Sequence, residues 1–420
     1  MSHSPSRSVV IVVIAIALQV ALGTRSPALQ AQSAEISDLP KCQPFSTFPD
    51  LIASPAYSRD NTLFVKGFDP DLHDGFIIYS TDGGFSWTNP MLISHWAIVD
   101  VVFSPNYFND QTIYLADTGN VLAHSTNSGR SWTSIPRLST EGMSSLALTG
   151  ANTVFLGVGG GPPYWYPQQG LFYSGDAGSR WERLYEGGVH DVALSPDYGD
   201  DHTILIGIAG YHWNGGILKS TDNGRTWQPS REGLPWGADG VTRDIAFSPG
   251  YAEDHTVFCL SWQGLYKSTD DGTTWQRLAP VPDGAPWGSI EQFLVSPRYP
   301  RDQTVWLRGD REGQLLSTDG GTTWRQMSHT VQPIAVAEAY CPQGGDCGVE
   351  LFGYTWDSEH DYVYKSFDGG MTWHCLESAV TPMPTPTPPP PAPEIPEAST
   401  LSLLAGGLAG LAGYLRRYRR

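Results

Sequence analysis

An eight-residue motif of the form Ser-Thr-Asp-x-Gly-x-Thr-Trp occurs seven times along this chain of 420 residues. The copies are Ser80–Trp87, Ser125–Trp132, Ser174–Trp181, Ser220–Trp227, Ser268–Trp275, Ser317–Trp324 and Ser366–Trp373. Their tryptophans follow one another at intervals of 45, 49, 46, 48, 49 and 49 residues. Such a period is typical of solenoids and propellers, whose units bury apolar surface only against neighbouring units. The spacing therefore predicts one closed array rather than several unrelated domains.

A second motif precedes five of the seven copies. It begins Ser-Pro-x-Tyr, continues to an Asp and a Thr, and occurs at Ser54–Thr62, Ser104–Thr112, Ser195–Thr203, Ser248–Thr256 and Ser296–Thr304. Apolar residues alternate around both motifs, with turn signals between them, so each unit predicts four strands. A four-stranded meander is a propeller blade. The predicted fold is therefore all-β: a single seven-bladed β-propeller of four-stranded antiparallel blades over residues 42–377.

The eight-residue motif predicts the hairpin between the third and fourth strands of each blade. Its third residue can accept backbone N–H bonds of the turn, its glycine supplies a positive φ, and its tryptophan packs on the turn. The second and third copies depart from the pattern at Asn127, Gly175 and Arg180. The predicted structural residues at the third position are Asp82, Asn127, Asp176, Asp222, Asp270, Asp319 and Asp368.

These copies resemble Asp-box (BNR) repeats, and the resemblance covers about Phe45 to Glu377. Such repeats occur in sialidases, xyloglucanases, sortilin-type receptors and photosystem II assembly factors, all of which are β-propellers. The resemblance implies a scaffold rather than an activity, because in those families the Asp boxes lie on the face opposite the ligand site. We therefore expect the site on the face formed by the loops between second and third strands and between blades, at the mouth of the central channel.

Aromatic residues are frequent in the segments predicted for that face. Tryptophan and tyrosine rings stack on the apolar faces of sugars, but they can equally pack between blades. The candidate ligand-binding residues are Trp96, Tyr164, Trp165, Tyr166, Trp213, Trp236, Trp287 and Trp356.

Carboxylates recur four residues before the Ser-Pro motif. Asp50, Asp100, Asp191 and Asp244 occupy this position, with Gln292 in the sixth repeat. The position begins the innermost strand, so these side chains should surround the mouth of the channel. Recurrence favours a structural hydrogen bond at each strand start. Alternatively, the carboxylates could perform acid/base chemistry on a glycoside or bind Ca²⁺, in which case the catalytic residues would be Asp100, Asp191, Asp244 and Glu291.

Sialidase activity is not expected. The resemblance to sialidases implies an arginine triad and an Arg-Ile-Pro motif, but that tripeptide is absent and only Arg243, Arg308 and Arg311 fall in predicted loops of the ligand face. Xyloglucanase chemistry would need two opposed aspartates, usually across a cleft between two propellers. The leading hypothesis is a non-catalytic protein that binds a glycan or protein ligand. The alternatives are a glycoside hydrolase using paired carboxylates and an assembly factor. No cofactor or metal is predicted, although Ca²⁺ stays an alternative.

The two ends of the chain predict export. Residues 1–34 contain Arg7, an apolar run from Val9 to Leu22 and small residues, which is typical of a signal peptide rather than a retained anchor. Residues 378–400 form a Pro/Thr-rich spacer, and residues 401–420 a short transmembrane or sorting tail with four arginines at its end. The tail resembles the PEP-CTERM signal cut by an exosortase, with Pro396-Glu397-Ala398 at the motif. The sequence thus predicts location at the cell surface, with the tail either retained or cleaved.

Charge and cysteines narrow the setting further. The net charge is −18. Without the six basic residues of the two end segments, 19 basic and 43 acidic residues leave a net charge of −24. This charge disfavours nucleic acid and anionic membranes as partners. A monomer is expected. Of the five cysteines, Cys42 and Cys375 flank the repeats, and a disulfide between them could close the ring covalently. Cys341 and Cys347 could form a local bridge, leaving Cys259 as a buried free thiol, and the alternative is five unpaired thiols.

Overall fold

The protein is a ring of seven four-stranded antiparallel sheets, which confirms the predicted seven-bladed β-propeller. This computed structural model describes residues 50–69, 74–136, 142–159, 168–209, 215–235, 242–278, 290–309, 313–327, 331–339, 348–356 and 361–376. Each blade is a meander of four consecutive strands, so each one comes from a continuous stretch of sequence.

The strands follow one another from the central channel to the rim of each blade. Blades 1 to 3 contain β1 (Asp50–Ala53), β2 (Leu63–Asp69), β3 (Asp74–Ser80), β4 (Met91–Ser94), β5 (Ile98–Phe103), β6 (Ile113–Asp117), β7 (Leu122–Ser125), β8 (Thr133–Ile135), β9 (Met143–Gly150), β10 (Thr153–Val158), β11 (Gly170–Ser174) and β12 (Glu182–Glu186). Blades 4 and 5 contain β13 (Gly188–Leu194), β14 (Ile204–Ala209), β15 (Gly216–Ser220), β16 (Gln228–Pro229), β17 (Thr242–Phe247), β18 (Val257–Ser261), β19 (Gly264–Ser268) and β20 (Gln276–Arg277). Blades 6 and 7 contain β21 (Ile290–Val295), β22 (Val305–Gly309), β23 (Gln314–Ser317), β24 (Arg325–Gln326), β25 (Gln332–Glu338), β26 (Val349–Trp356), β27 (Asp361–Ser366) and β28 (His374–Cys375).

The hydrophobic core is divided into seven clusters, one between each pair of neighbouring blades. The second strands are apolar on both faces; in β18, for example, all five side chains are buried. A sheet with two apolar faces must be covered on both sides. The neighbouring blades provide that cover, so closing the ring is the way every blade buries its surface.

The Ser-Pro motif forms a short helical turn between the first and second strands. Its five copies are α1 (Tyr57–Asp60), α2 (Tyr107–Asp110), α3 (Tyr198–Asp201), α4 (Tyr251–Asp254) and α5 (Tyr299–Asp302). In α1, Ser54 Oγ donates to Asp60 Oδ2 at 2.8 Å and the Thr62 amide donates to Asp60 Oδ1 at 2.9 Å. One carboxylate therefore fastens both ends of the turn.

The eight-residue motif, which we call the Asp box after its usual third residue, forms the predicted turn between the third and fourth strands. In every copy, the serine hydroxyl donates to the third residue at 2.7–2.9 Å and accepts the amide of the fifth-position glycine at 2.8–2.9 Å. That glycine has a positive φ in all seven blades. In blades 1, 2, 5 and 6, the box also donates a backbone hydrogen bond to the residue that ends the helical turn. Both motifs thus lie on one face, hereafter the Asp-box face.

A buried ionic cluster joins blade 7 to blade 1 where the ring closes. Tyr57 Oη, in α1, donates to Glu350 Oε2 in β26 at 2.7 Å, and Lys365 Nζ in β27 lies 2.9 Å from the same oxygen. All three residues are buried. Burial and the Glu350 charge raise the pKa of the Tyr57 hydroxyl, which stays a hydrogen-bond donor. We call these three residues the seam cluster.

Two further sequence expectations concern the cysteines and the tail. Cys259 is a buried free thiol, as predicted. Cys375 is disulfide-bonded, but its partner lies outside the described residues, as do Cys42, Cys341 and Cys347. The signal peptide, spacer and tail also lie outside them. Within the described ranges, no helix is long and apolar enough to cross a bilayer.

Removing Glu350 should destabilise the ring strongly. Glu350→Ala leaves the Lys365 ammonium buried without its carboxylate, a change that costs about 3–5 kcal/mol of unfolding free energy. The control is Glu186→Ala, because the Glu186 carboxylate lies 3.8 Å from Arg183 Nη2 at the surface, where ion pairs contribute up to about 1 kcal/mol. Guanidinium denaturation measures both variants, and equal losses would contradict a stabilising seam cluster.

The disulfide of Cys375 should join it to Cys42. Non-reducing peptide mapping should recover a Cys42–Cys375 peptide pair, and Cys42→Ser and Cys375→Ser should each lower the unfolding free energy by about 2–5 kcal/mol. A pair between Cys375 and either Cys341 or Cys347 would show this prediction to be wrong.

Candidate functional site

A bulge in the first strand sets the side chains at the mouth of the channel. The pairing of first and second strands shifts by one residue immediately before Asp100, Asp191, Asp244 and Gln292. A bulge re-aims the inserted side chain. Inserted residues from four blades accordingly line one cavity at the mouth: Val99, Arg243, Glu291 and Ile334.

Two of the candidate carboxylates bind neighbouring blades. Asp100 Oδ2 in blade 2 accepts the Leu146 amide of blade 3 at 2.8 Å. Asp191 Oδ2 in blade 4 accepts the Ile245 amide of blade 5 at 2.7 Å, and its Oδ1 accepts Ser145 Oγ of blade 3 at 2.9 Å. The recurrence of these aspartates favoured structural hydrogen bonds at the start of each strand. The bonds observed are structural, but they join neighbouring blades.

Asp244 lies beside Asp191 at the centre of the ring. Burial, followed by the charge of Asp191, raises the pKa of Asp244, and burial raises that of Asp191. Ionising both carboxylates costs more than ionising one, because their charges repel across a poorly solvated gap. Asp244 also lines the mouth cavity, so it can hold a proton there.

The mouth cavity has a volume of about 550 Å³ and opens on the face opposite the Asp boxes. Its lining carries charges of both signs together with an aromatic ring. The lining residues are Asp50, Val99, Arg243, Asp244, Leu260, Glu291, Gln292, Arg308, Ile334 and Tyr354.

Two arginines at this cavity contact neighbouring groups of the protein. Arg243 Nη1 donates to the Ile290 carbonyl at 2.7 Å, and its guanidinium lies 4.6 Å from the ring centroid of Trp262. Arg308 Nε lies 3.3 Å from Glu291 Oε2. Preorganised cations of this kind lose little entropy when they bind an anionic or carbonyl group.

The sequence placed both arginines in loops, and this was wrong. Arg243 lies in β17 and Arg308 in β22. Neither residue type nor spacing marks a bulge, so the sequence could not show that Arg243 and Glu291 are inserted residues. Alignment on the Ser-Pro motif would have shown only that they share one position in consecutive repeats.

One predicted aromatic platform is visible on this face. Trp96 is 55% exposed and lies over Gly119 of blade 2, where an added Cβ would stand 2.1 Å from the indole. Trp262, beside Arg243, is a second exposed tryptophan. Trp356 ends β26, and its side chain is not described. The other candidates, Tyr164, Trp165, Tyr166, Trp213, Trp236 and Trp287, lie outside the described residues.

The described carboxylates also bear on the question of a bound metal ion. In the part of the chain that the structure describes, no group of three or more His, Cys, Asp or Glu side chains is arranged to bind a metal ion.

The fold resembles solved propellers, whereas the sequence matches no known family and no curated protein. A structure of YCF48 bound to D1 peptide is 15% identical, with a TM-score of 0.51 over 77% of this chain and 94% of that chain. YCF48 from Cyanidioschyzon merolae is also 15% identical, with a TM-score of 0.51 over 77% and 97%. An ancestral GH74 enzyme is 20% identical, with a TM-score of 0.45 over 64% and 38%. At these identities, the similarity to YCF48 concerns the fold alone.

Asp244→Asn should stabilise the protein more at pH 8 than at pH 5. The folded-state pKa of Asp244 is raised above the unfolded value of about 3.9. The aspartate therefore costs stability progressively as pH rises through the interval between the two values. Asparagine removes that cost, so we expect a gain on the order of 1 kcal/mol between pH 5 and pH 8 in thermal unfolding.

The matched control is Asp222→Asn. Hydrogen bonds from Thr226 lower the pKa of Asp222 to about 2, so its contribution is fully present above about pH 4 and is lost only below that. Its effect should be the same at pH 5 and pH 8. A pH-independent effect of Asp244→Asn would contradict the raised pKa.

Proposed function

We propose that this protein is a non-catalytic binding protein that recognises an extended polypeptide at the mouth cavity. The observation that carries the proposal is the fixed set of charges of both signs around that cavity, formed by Arg243, Arg308, Asp244 and Glu291. A polypeptide can bind to such a set of charges through its carbonyls, its amides and its charged side chains. The D1 peptide bound to YCF48 supports this ligand class for the same fold.

Exposed tryptophans extend the binding surface beyond the cavity. Trp262 borders the cavity because it contacts Arg243. Trp96 is exposed on the same face, in the loop between blades 1 and 2. Large rings of limited flexibility provide contact area at low entropic cost. A glycan remains the second ligand class, because the same rings could stack on sugars.

The engaged carboxylates argue against catalysis. Asp100 and Asp191 are occupied by amides of neighbouring blades, and removing either would disturb the packing of the ring. Only Asp244 and Glu291 of the four candidates line the cavity.

We further propose that the protein is exported and displayed at the cell surface. The apolar N-terminal segment and the spacer and tail of residues 378–420 support this, and a disulfide-bonded Cys375 suits an oxidising compartment. The exosortase-like protease stays a proposed partner of the tail.

Binding can be tested with the full-length protein on a random peptide library and a glycan array, side by side. We expect peptides to be enriched, and affinity for the enriched peptides to fall at least about tenfold in Arg243→Gln and in Arg308→Gln. Arg225→Gln, in the Asp box of blade 4, is the matched control and should leave binding unchanged. Binding to glycans alone, or peptide binding insensitive to both cavity variants, would contradict the proposal.

Glycoside hydrolysis is the second candidate, and one observation favours it. Asp244, with its raised pKa, and Glu291, held beside Arg308, line the same cavity. Glycosidases usually act through two carboxyl groups whose different environments give them different pKa values. Turnover of a chromogenic glycoside that is lost in both Asp244→Asn and Glu291→Gln would replace the binding proposal.

A further inference from the structure

The Asp-box face carries exposed apolar side chains at the closure of the ring. Phe85 is 70% exposed, Phe367 58% and Met371 65%. Phe85 and Met371 occupy the sixth position of the boxes in blades 1 and 7, where the other boxes carry Arg130, Ser179, Arg225, Thr273 and Thr322. Phe367 occupies the second position, where every other box has threonine or glycine. At the second and sixth positions, large apolar residues therefore occur only in the two boxes beside the seam.

The seam cluster brings two of these side chains together. The Lys365 ammonium lies 6.0 Å from the ring centroid of Phe85 and 5.5 Å from that of Phe367. Both rings are thus neighbours of one buried cation, one from each side of the seam. We call Phe85, Phe367 and Met371 the seam patch.

The last described residue of the chain, Leu376, packs beside one of the two Asp boxes at the seam. Leu376 is buried, and its Cδ2 atom would be 2.4 Å from a Cβ added to Gly84, the residue before Phe85. The described chain therefore ends next to the Asp box that carries Phe85. Only residues 377–380 separate Leu376 from the proline-rich run Thr381–Pro393, and four extended residues reach about 13 Å.

The chemistry of that run suits the patch. It contains eight prolines and no charged residue. Polyproline II segments dock on exposed aromatic rings because they are already extended and lose little entropy on binding. A second copy of the protein is a poorer occupant, since both copies carry a strong net negative charge.

We propose that Thr381–Pro393 packs against the seam patch of its own propeller. This contact positions the start of the tail on the Asp-box face, so the mouth cavity faces away from the tail. The proposal does not depend on what the mouth cavity binds.

Photocrosslinking in the full-length chain tests the contact. p-Benzoylphenylalanine at position 85 preserves an aromatic ring, and on irradiation it should crosslink within one chain to peptides that contain residues 381–393. The same probe at position 225, the sixth position of the blade 4 box, should give no such product. Crosslinked dimers, crosslinks to another protein or no crosslink from position 85 would each overturn the proposal.

A variant with polar boxes gives an independent measurement. Combining Phe85→Ser, Phe367→Thr and Met371→Thr restores residue types found in the other boxes, all at exposed positions. A proline-specific endopeptidase should then cleave residues 381–393 at least about fivefold faster, with an unchanged thermal midpoint of the propeller. Equal cleavage rates in the variant and the parent would contradict docking.

Discussion

The ring is held by one constraint: each sheet is apolar on both faces and can be covered only by the blades beside it. The seven hydrophobic clusters all lie between blades, and the largest fully buried side chains, such as Trp306 and Phe258, belong to them. Burial on this scale is the dominant favourable contribution to folding. An incomplete array would leave an apolar face exposed at each end, so the number of blades and the closure of the ring are set together.

Carboxylates on the two faces of the ring have different partners. On the Asp-box face, carboxylates such as Asp60 and Asp222 accept amides within their own turns and keep each hairpin in shape. On the opposite face, Asp100 and Asp191 accept amides from other blades, while Asp244 and Glu291 line a cavity. Carboxylates are therefore structural on both faces, and at the channel Asp244 and Glu291 in addition line a cavity.

The sequence predicted what is local and periodic. Strand number, blade number and the Asp-box turns all follow from a motif whose side chains bind their own backbone within four residues. The functions of individual carboxylates could not be predicted, because Asp100, Asp191 and Asp244 occupy the same position in their repeats and differ only in what the adjacent blade presents. The seam cluster was also beyond prediction, since Tyr57 and Glu350 are 293 residues apart and neither belongs to a pattern that marks the contact.

Every described blade is built from a continuous segment of chain, and none of the described strands is exchanged between blade 1 and blade 7. The chain could therefore begin at a different blade without changing how the blades are arranged in space. A circularly permuted chain that joined the present ends and opened between blades 3 and 4 would keep every four-stranded sheet intact. It would convert the seam into an ordinary junction and create a new one, at which the described residues form no buried ion pair. The seam cluster lies at the one junction where neighbouring blades are not consecutive in the chain. For that reason, we expect the effect of opening the chain to depend on the junction at which it is opened.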